Sequence, residues 1–435
     1  MSARPLATVP VAMVVAAALA VGPATAQAGP PPATVTGQAR LPQIPLGAFS
    51  NALLPGSVDD DHGVKLGGIG SDIFPAGRAG EFWTVTDRGP NGQITVDGAK
   101  RRTFPVPGFD PAIVKIKVRG DRVTVLDSRA LTTRSGKAVT GLPNQKGRDE
   151  APYTYDAAHP LSFDPNGLDT EGIVRAADGT FWLADEYGPS LVHVAASGRV
   201  LARHVPKGLR LTGTDYPVVE SLPGILLKRK TNRGFEGLAL LPDGDLVAAV
   251  QSPLSNPDTA AGEASRTARL VRFSPAEGAV TAEYAYRFDP VGEVDPGEKD
   301  TSELKISSVV AVGRDRLLVE ERTDKAARLQ RVELDARHNV LGSRWDDPGT
   351  RPSLEQSGRR APVLPKRLVV DLHKVPGIPD KIEGIAVTGR RTLTLINDND
   401  FGMTDGPGAF DDQGRLVDSG VPTTVLTVRL RSAAW

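Results

Sequence analysis

Three stretches of this sequence share a spacing that brings carboxylates together. Glu171-Gly172-Ile173, Glu236-Gly237-Leu238 and Glu383-Gly384-Ile385 each open a short apolar run. Fifteen positions after each Glu stands a polar residue that closes a second apolar run: Glu186, Gln251 and Asp398. Two looser copies run from Gly67-Gly68-Ile69 to Asp87 and from Ser307-Ser308-Val309 to Glu320 and Glu321. Unpaired carboxylates gathered in one place repel one another, raise their own pKa values and suit hard cations such as Ca²⁺ or Mg²⁺. The candidate metal ligands are therefore Asp87, Glu171, Glu186, Glu236, Glu321, Glu383 and Asp398, with Asn232, Asn397 and Asn399 able to add neutral oxygens. Arginines stand among these acids. Arg88 follows Asp87, Arg322 follows Glu321, and Arg233 precedes Glu236 by three residues. A guanidinium can fork onto an oxyanion, so acids that hold a metal beside such arginines suit a phosphorylated or carboxylated substrate. In a hydrolytic site Glu171 or Glu186 is the candidate general base, and Arg88 and Arg233 are the candidates to steady the developing oxyanion. Two plainer readings stand beside this one. A repeated Glu at a strand start can accept backbone N–H groups of the neighbouring unit as a latch, and the arginines can be ordinary surface pairs.

The elements that must position these residues are strands. With 46 Gly, 36 Pro and only 5% aromatic residues, the chain disfavours long helices and favours short strands joined by turns. Each copy of the pattern is followed by further strand-like runs, such as residues 113–118 and 123–126, or 191–195 and 200–204. Four strands per unit at irregular spacing predicts an all-β fold, a β-propeller with five blades, with room for a sixth in residues 131–165 or 346–380. The last copy supplies too few strands, so a strand near residues 33–41 is expected to complete that blade and close the ring. In a propeller the first strand of a blade starts at one face and the second returns to it. Both sets of acids then meet at one channel mouth.

Composition excludes several alternatives. There is no cysteine, hence no disulfide, thiolate metal site or thiol nucleophile. Lysine and arginine number 52 against 52 acidic residues, which gives no electrostatic case for a nucleic-acid or membrane partner. No Gly-x-Ser-x-Gly, Walker or His-Glu-x-x-His pattern is present. Residues 1–28 read as a signal peptide: Arg4, an apolar run over 9–21, and small residues before a cleavage site after Ala28 or Ala26. Residues 29–435 are then the mature, secreted domain.

The runs Phe82-Trp83-Thr84-Val85-Thr86-Asp87-Arg88-Gly89-Pro90-Asn91, Asp169-Thr170-Glu171-Gly172-Ile173, Phe181-Trp182-Leu183-Ala184-Asp185-Glu186-Tyr187-Gly188-Pro189-Ser190, Asn232-Arg233-Gly234-Phe235-Glu236-Gly237-Leu238 and Lys381-Ile382-Glu383-Gly384-Ile385 resemble the phytase-like domain, labelled esterase-like activity of phytase. The likeness covers roughly residues 60–430. It implies a β-propeller, often secreted, and a phosphoric-ester hydrolase activity. Fold alone does not fix chemistry. The expected function is thus Ca²⁺-assisted hydrolysis of a small-molecule phosphoric or other ester by a monomer. A calcium-dependent lactonase-like propeller and a non-catalytic binding propeller are the alternatives.

Overall fold

The computed structural model describes residues 32–53 and 58–434, together with Met1. The export-signal expectation for residues 1–28 lies outside the described residues, Met1 apart. The described chain is all-β with a few short helices. Strands form where apolar runs are cut by Gly and Asx turns. Between Thr170–Arg175 and Phe181–Asp185, for example, Asp178 accepts the Thr180 N–H at 2.9 Å and Gly179 turns the chain at φ 88°. A left-handed φ of this kind is unstrained only for glycine. Phe181, Trp182, Leu183 and Ala184 are all buried, so this second strand packs on both faces and its apolar run does not alternate.

In chain order, β1 (Ala33–Arg40) precedes β2 (Asp72–Pro75) and β3 (Glu81–Val85), and a hairpin of β4 (Gly92–Val96) and β5 (Ala99–Thr103) follows. β6 (Ala112–Arg119) and β7 (Arg122–Ala130) complete the first sheet in the order β2-β3-β6-β7, and the short β8 (Pro152–Tyr153) pairs with β5. The second sheet takes β9 (Thr170–Arg175), β10 (Phe181–Asp185), β11 (Ser190–Val194) and β12 (Val200–Pro206), extended by β13 (Val218–Leu222). The third takes β14 (Phe235–Leu240), β15 (Leu246–Val250), β16 (Thr267–Ser274) and β17 (Ala279–Arg287). The fourth takes β18 (Val309–Gly313), β19 (Arg316–Arg322), β20 (Ala327–Glu333) and β21 (Lys366–Asp371). In the last, β22 (Ile382–Gly389), β23 (Thr392–Asn397) and β24 (Thr424–Leu430) are completed by β1, which runs antiparallel to β24 from Ala33↔Leu430 to Arg40↔Thr424. The N-terminal strand thus closes the last sheet as its sequence position requires. One parallel pair, Arg40↔Arg122, joins that sheet to the first. Residues 131–165 and 346–380 form no full sheet of their own among the described residues; they contribute β8 and β21.

The innermost strands neighbour one another in a circuit, β2 to β9 to β14 to β18 to β22 and back to β2, a propeller-like arrangement. What makes the circuit tight is the Gly of each Glu-Gly step. A Cβ on Gly172 would lie 2.7 Å from the Glu236 carbonyl oxygen, one on Gly237 2.8 Å from the Val309 nitrogen, and one on Gly384 2.9 Å from the Asp72 carbonyl carbon. Each contact is with the inner strand of the next sheet, and each is too close for any side chain. Asp72 adds the blade-to-blade latch: its Oδ2 accepts the Ile173 N–H at 2.9 Å. Below the mouth the inner strands line a channel of about 160 Å³ with Ile73, Ile173, Leu238, Val309 and Ile385.

Gly237→Ala should therefore destabilise the fold by about 1–3 kcal/mol through overpacking against β18. Gly292→Ala, where an added Cβ meets nothing within 4 Å, should be close to neutral in the same chemical unfolding series. Equal midpoints for the two variants would refute the close-approach account.

Candidate functional site

Strand alternation decides which side chains reach the mouth. The residues that follow the second strands, Asp87, Glu186, Gln251 and Asp398, line one cavity of about 390 Å³ with Glu171, Glu236 and Glu383 from the first strands. Arg88 and Arg233 line it too. Of the expected site residues only Glu321 lies elsewhere. Its side chain leaves β19 on the opposite face, where its Oε1 accepts from the Tyr286 hydroxyl at 2.6 Å, its carboxylate accepts the Asp289 N–H, and Lys366 pairs with it. The reason is a one-residue register: fifteen positions after Ser307 comes Arg322, and neighbouring strand residues point to opposite faces. The fourth sheet thus gives the mouth a cation where an acid was expected.

Arg322 changes the electrostatics of the cluster. Its Nη2 pairs with Glu383 and lies 4.0 Å from Glu236 Oε1, its Nε donates to Ser307 Oγ at 2.6 Å, and its Nη1 donates to Asp324 Oδ1 at 3.2 Å. Ser307 Oγ passes the contact on to Glu236 Oε1 at 3.2 Å. Lys381 answers Asp398 at 3.3 Å and Asp400 at 2.5 Å. Arg88 is occupied as well: it pairs with Asp169 Oδ2 at 3.2 Å and Glu150 Oε2 at 3.5 Å, and donates to Asn232 Oδ1. Arg233 is different. Its Nη1 is buried without a hydrogen-bond partner.

The acids are incompletely paired. Glu186 Oε1 and Glu236 Oε2 are buried with no hydrogen-bond partner. Two groups of three, Asp169/Glu171/Glu186 and Glu171/Glu236/Glu383, each present oxygens within 4.8 Å of one another, and they share Glu171. None of the three repeated glutamates accepts a backbone N–H among the described residues, so the latch role falls to Asp72 instead. The orphan oxygens and the all-oxygen donor set fit a hard divalent cation. Of the three asparagines only Asn232 lines the cavity, and the side-chain oxygens of all three are engaged elsewhere. Asn232 serves Arg88, Asn397 Oδ1 accepts the Thr424 N–H at 2.7 Å, and Asn399 Oδ1 accepts the Gly68 N–H at 3.0 Å. Asp169, Lys305, Lys381 and Asp324 were not singled out from sequence; Asp169 was legible as the residue two before the Glu-Gly step.

Burial is the main cause of raised carboxyl pKa values here. Burial and then the Glu236 charge push Glu171 and Glu186 well above the ordinary range. Burial and then Asp398 do the same for Asp87, and burial and then Asp400 for Asp398. Glu236 is pushed up to about 7 by burial and Glu383, with Arg322 acting against the rise.

The chain matches, over residues 64–401, the family described as Phytase-like, esterase-like activity of phytase, and it belongs to that family. A protein of Arthroderma benhamiae named "Uncharacterized secreted protein" is 27% identical over 313 residues, which are 60% of this chain. The match spans 59% of that relative's own length. Among solved structures, a luciferin-regenerating enzyme is similar at 12% identity and a TM-score of 0.34, over 83% of this chain and 78% of that one. A virginiamycin B lyase from Staphylococcus aureus is similar at 10% identity and a TM-score of 0.31, over 84% and 98%. No helix among the described residues is long and apolar enough to cross a membrane.

The raised Glu236 value has a consequence for the cation-free protein. Its folded form keeps a proton that the unfolded chain, with a value near 4.5, has already lost. The stability linked to this group is therefore present below pH 4.5 and lost as pH rises through about 7, by on the order of 3 kcal/mol. In chelator, Glu236→Gln should flatten the fall in unfolding free energy across that window and melt above the parent at its alkaline end. Parallel pH profiles for the two proteins would contradict the assignment.

Proposed function

We propose that residues 29–435, after removal of a signal peptide at 1–28, form a secreted five-bladed propeller that holds a divalent cation and hydrolyses a phosphoric or related ester of a small molecule. The count of five blades is supported by the circuit of innermost strands β2, β9, β14, β18 and β22. The observation that carries the chemical reading is the pair of carboxylate triads sharing Glu171, set beside a guanidinium with a free buried donor. Glu171, Glu236 and Glu383 would hold the cation, with Ca²⁺ the first choice on ligand chemistry. When bound it would offset the negative charge of the ester and make the attacking water easier to deprotonate.

The chain's own residues divide the remaining work. Glu186, with Oε1 free, takes a proton from the attacking water. Arg233 turns its free Nη1 to the oxygen that gains charge in the transition state. Arg88 keeps Asp169 in place and is a positioning residue. Met403 is the one apolar side chain among those lining the cavity. Such a lining favours a charged, hydroxyl-rich substrate over an apolar acyl ester. The protein acts as a monomer and needs neither nucleic acid nor membrane.

The test has two parts. Ca²⁺ should raise the melting temperature over chelator, by mass action on the folded form. A panel of phosphomonoesters and lactones should then show turnover of phosphomonoesters, with Glu186→Gln lowering kcat by roughly 10²–10⁴-fold. Turnover of lactones alone would move the assignment to a lactonase-like activity. Ca²⁺ binding with no turnover of either class would overturn the hydrolase and leave a binding protein.

A further inference from the structure

On the side of the mouth built by the fourth and last sheets, two buried cations share an exposed carboxylate. Lys305 and Arg322 are 9% and 2% exposed. Lys305 Nζ lies 2.7 Å from Asp324 Oδ1, and Arg322 Nη1 lies 3.2 Å from the same oxygen. The Asp324 side chain is 56% exposed and stands at the edge of the cavity. Among the described residues no other counter-ion of a buried arginine in the mouth is so open. Asp169, the partner of Arg88, is 1% exposed in its side chain, and Glu383, the second partner of Arg322, is 8% exposed.

The carboxylate is also not what fixes its own turn. Asp324 sits in the connection between β19 and β20, and the Lys381 N–H donates to its backbone carbonyl at 2.8 Å. Thr323 Oγ1 donates to Asp295 Oδ2 at 2.7 Å and accepts the Lys325 and Ala326 N–H groups at 3.2 Å. The side chain can therefore swing out while the backbone stays pinned. An exposed ion-pair partner contributes little, whereas a buried cation left without any counter-ion is costly. Among the described residues Lys305 has only Glu303 as a further ion-pair partner, at 3.9 Å.

We infer that Lys305 and Arg322 form an oxyanion subsite at the mouth, that Asp324 is its built-in occupant, and that an incoming oxyanion displaces the Asp324 side chain. The ligand chemistry is a compact oxyanion, tetrahedral as in phosphate or planar as in a carboxylate. Asp324 then acts as a gate, because every anion that enters must compete with a tethered one. The subsite needs neither bound metal nor turnover, so it stands or falls separately from the hydrolase reading.

Calorimetric titration of inorganic phosphate and, separately, acetate into the full chain in chelator tests the inference. Asp324→Asn should bind one of the two at least about tenfold more tightly than the parent, since charge-assisted bonds to the freed cations are worth that much or more. Tighter phosphate binding marks a tetrahedral ligand and tighter acetate binding a planar one. Adding Lys305→Met to Asp324→Asn should abolish the gain. Equal affinity of Asp324→Asn and the parent, a gain that survives Lys305→Met, or an equal response to chloride at matched ionic strength would each overturn it. If Asp324→Asn does not fold, Lys305→Met alone decides. It should remove the rise in melting temperature that phosphate or acetate gives the parent, and an unchanged rise, or no rise of the parent with either anion, would refute the subsite.

Discussion

The inner strands approach so closely at Gly172, Gly237 and Gly384 that no side chain fits between one sheet and the next. This steric condition places the residue before each glycine. With the glycine pressed against the neighbouring strand, Glu171, Glu236 and Glu383 come to the rim of a narrow channel. Their side chains are then a few ångströms apart because the backbones are, and like charges are forced together by packing. The Glu-Gly step thus has a structural half and a chemical half. The glycine sets the distance, and the glutamate inherits it.

Forced proximity of acids has to be answered by something. Nine carboxylates and six cationic side chains line the mouth, an excess of negative charge in a space from which water is partly excluded. Arg322 and Lys381 answer Glu383 and Asp398, and Arg88 answers Asp169. Glu171 and Glu186 are left over, and burial, followed by the Glu236 charge, holds both well above the ordinary carboxylate range. A proton or a divalent cation can fill the deficit. The zero net charge of the whole chain is no guide to this, since it averages the mouth with a surface that carries the opposite excess.

Much of this was legible in the residues themselves. The fifteen-residue interval encodes a hairpin whose two ends return to one face, so it located Glu186 and Asp398 from their glutamates without knowledge of the sheet order. It failed at the fourth sheet, where the run Glu320-Glu321-Arg322 offers acids one and two positions short of the interval. Spacing counted from Ser307 selects Arg322, while an expectation of acid selected Glu321; the pleat of β19 enforces the former. Lys305 and Asp324 were out of reach for a different reason. They lie in connections, joined only once β18, β19 and β20 are paired, and no period in the sequence relates them.

The mouth is consequently lopsided, and the asymmetry bears on where chemistry can occur. On the side of the fourth and last sheets every cation has a carboxylate partner, so a ligand group arriving there must compete with Asp324, Glu383 or Asp398. On the side of the second and third sheets Arg233 keeps a free donor and Glu186 a free oxygen. Glu186 follows β10 and Arg233 precedes β14, and the two free atoms are buried, an acceptor without a donor and a donor without an acceptor. A ligand that supplied the missing partner to each would relieve two unsatisfied buried groups at once, and the cost of leaving them unpaired would then appear as affinity.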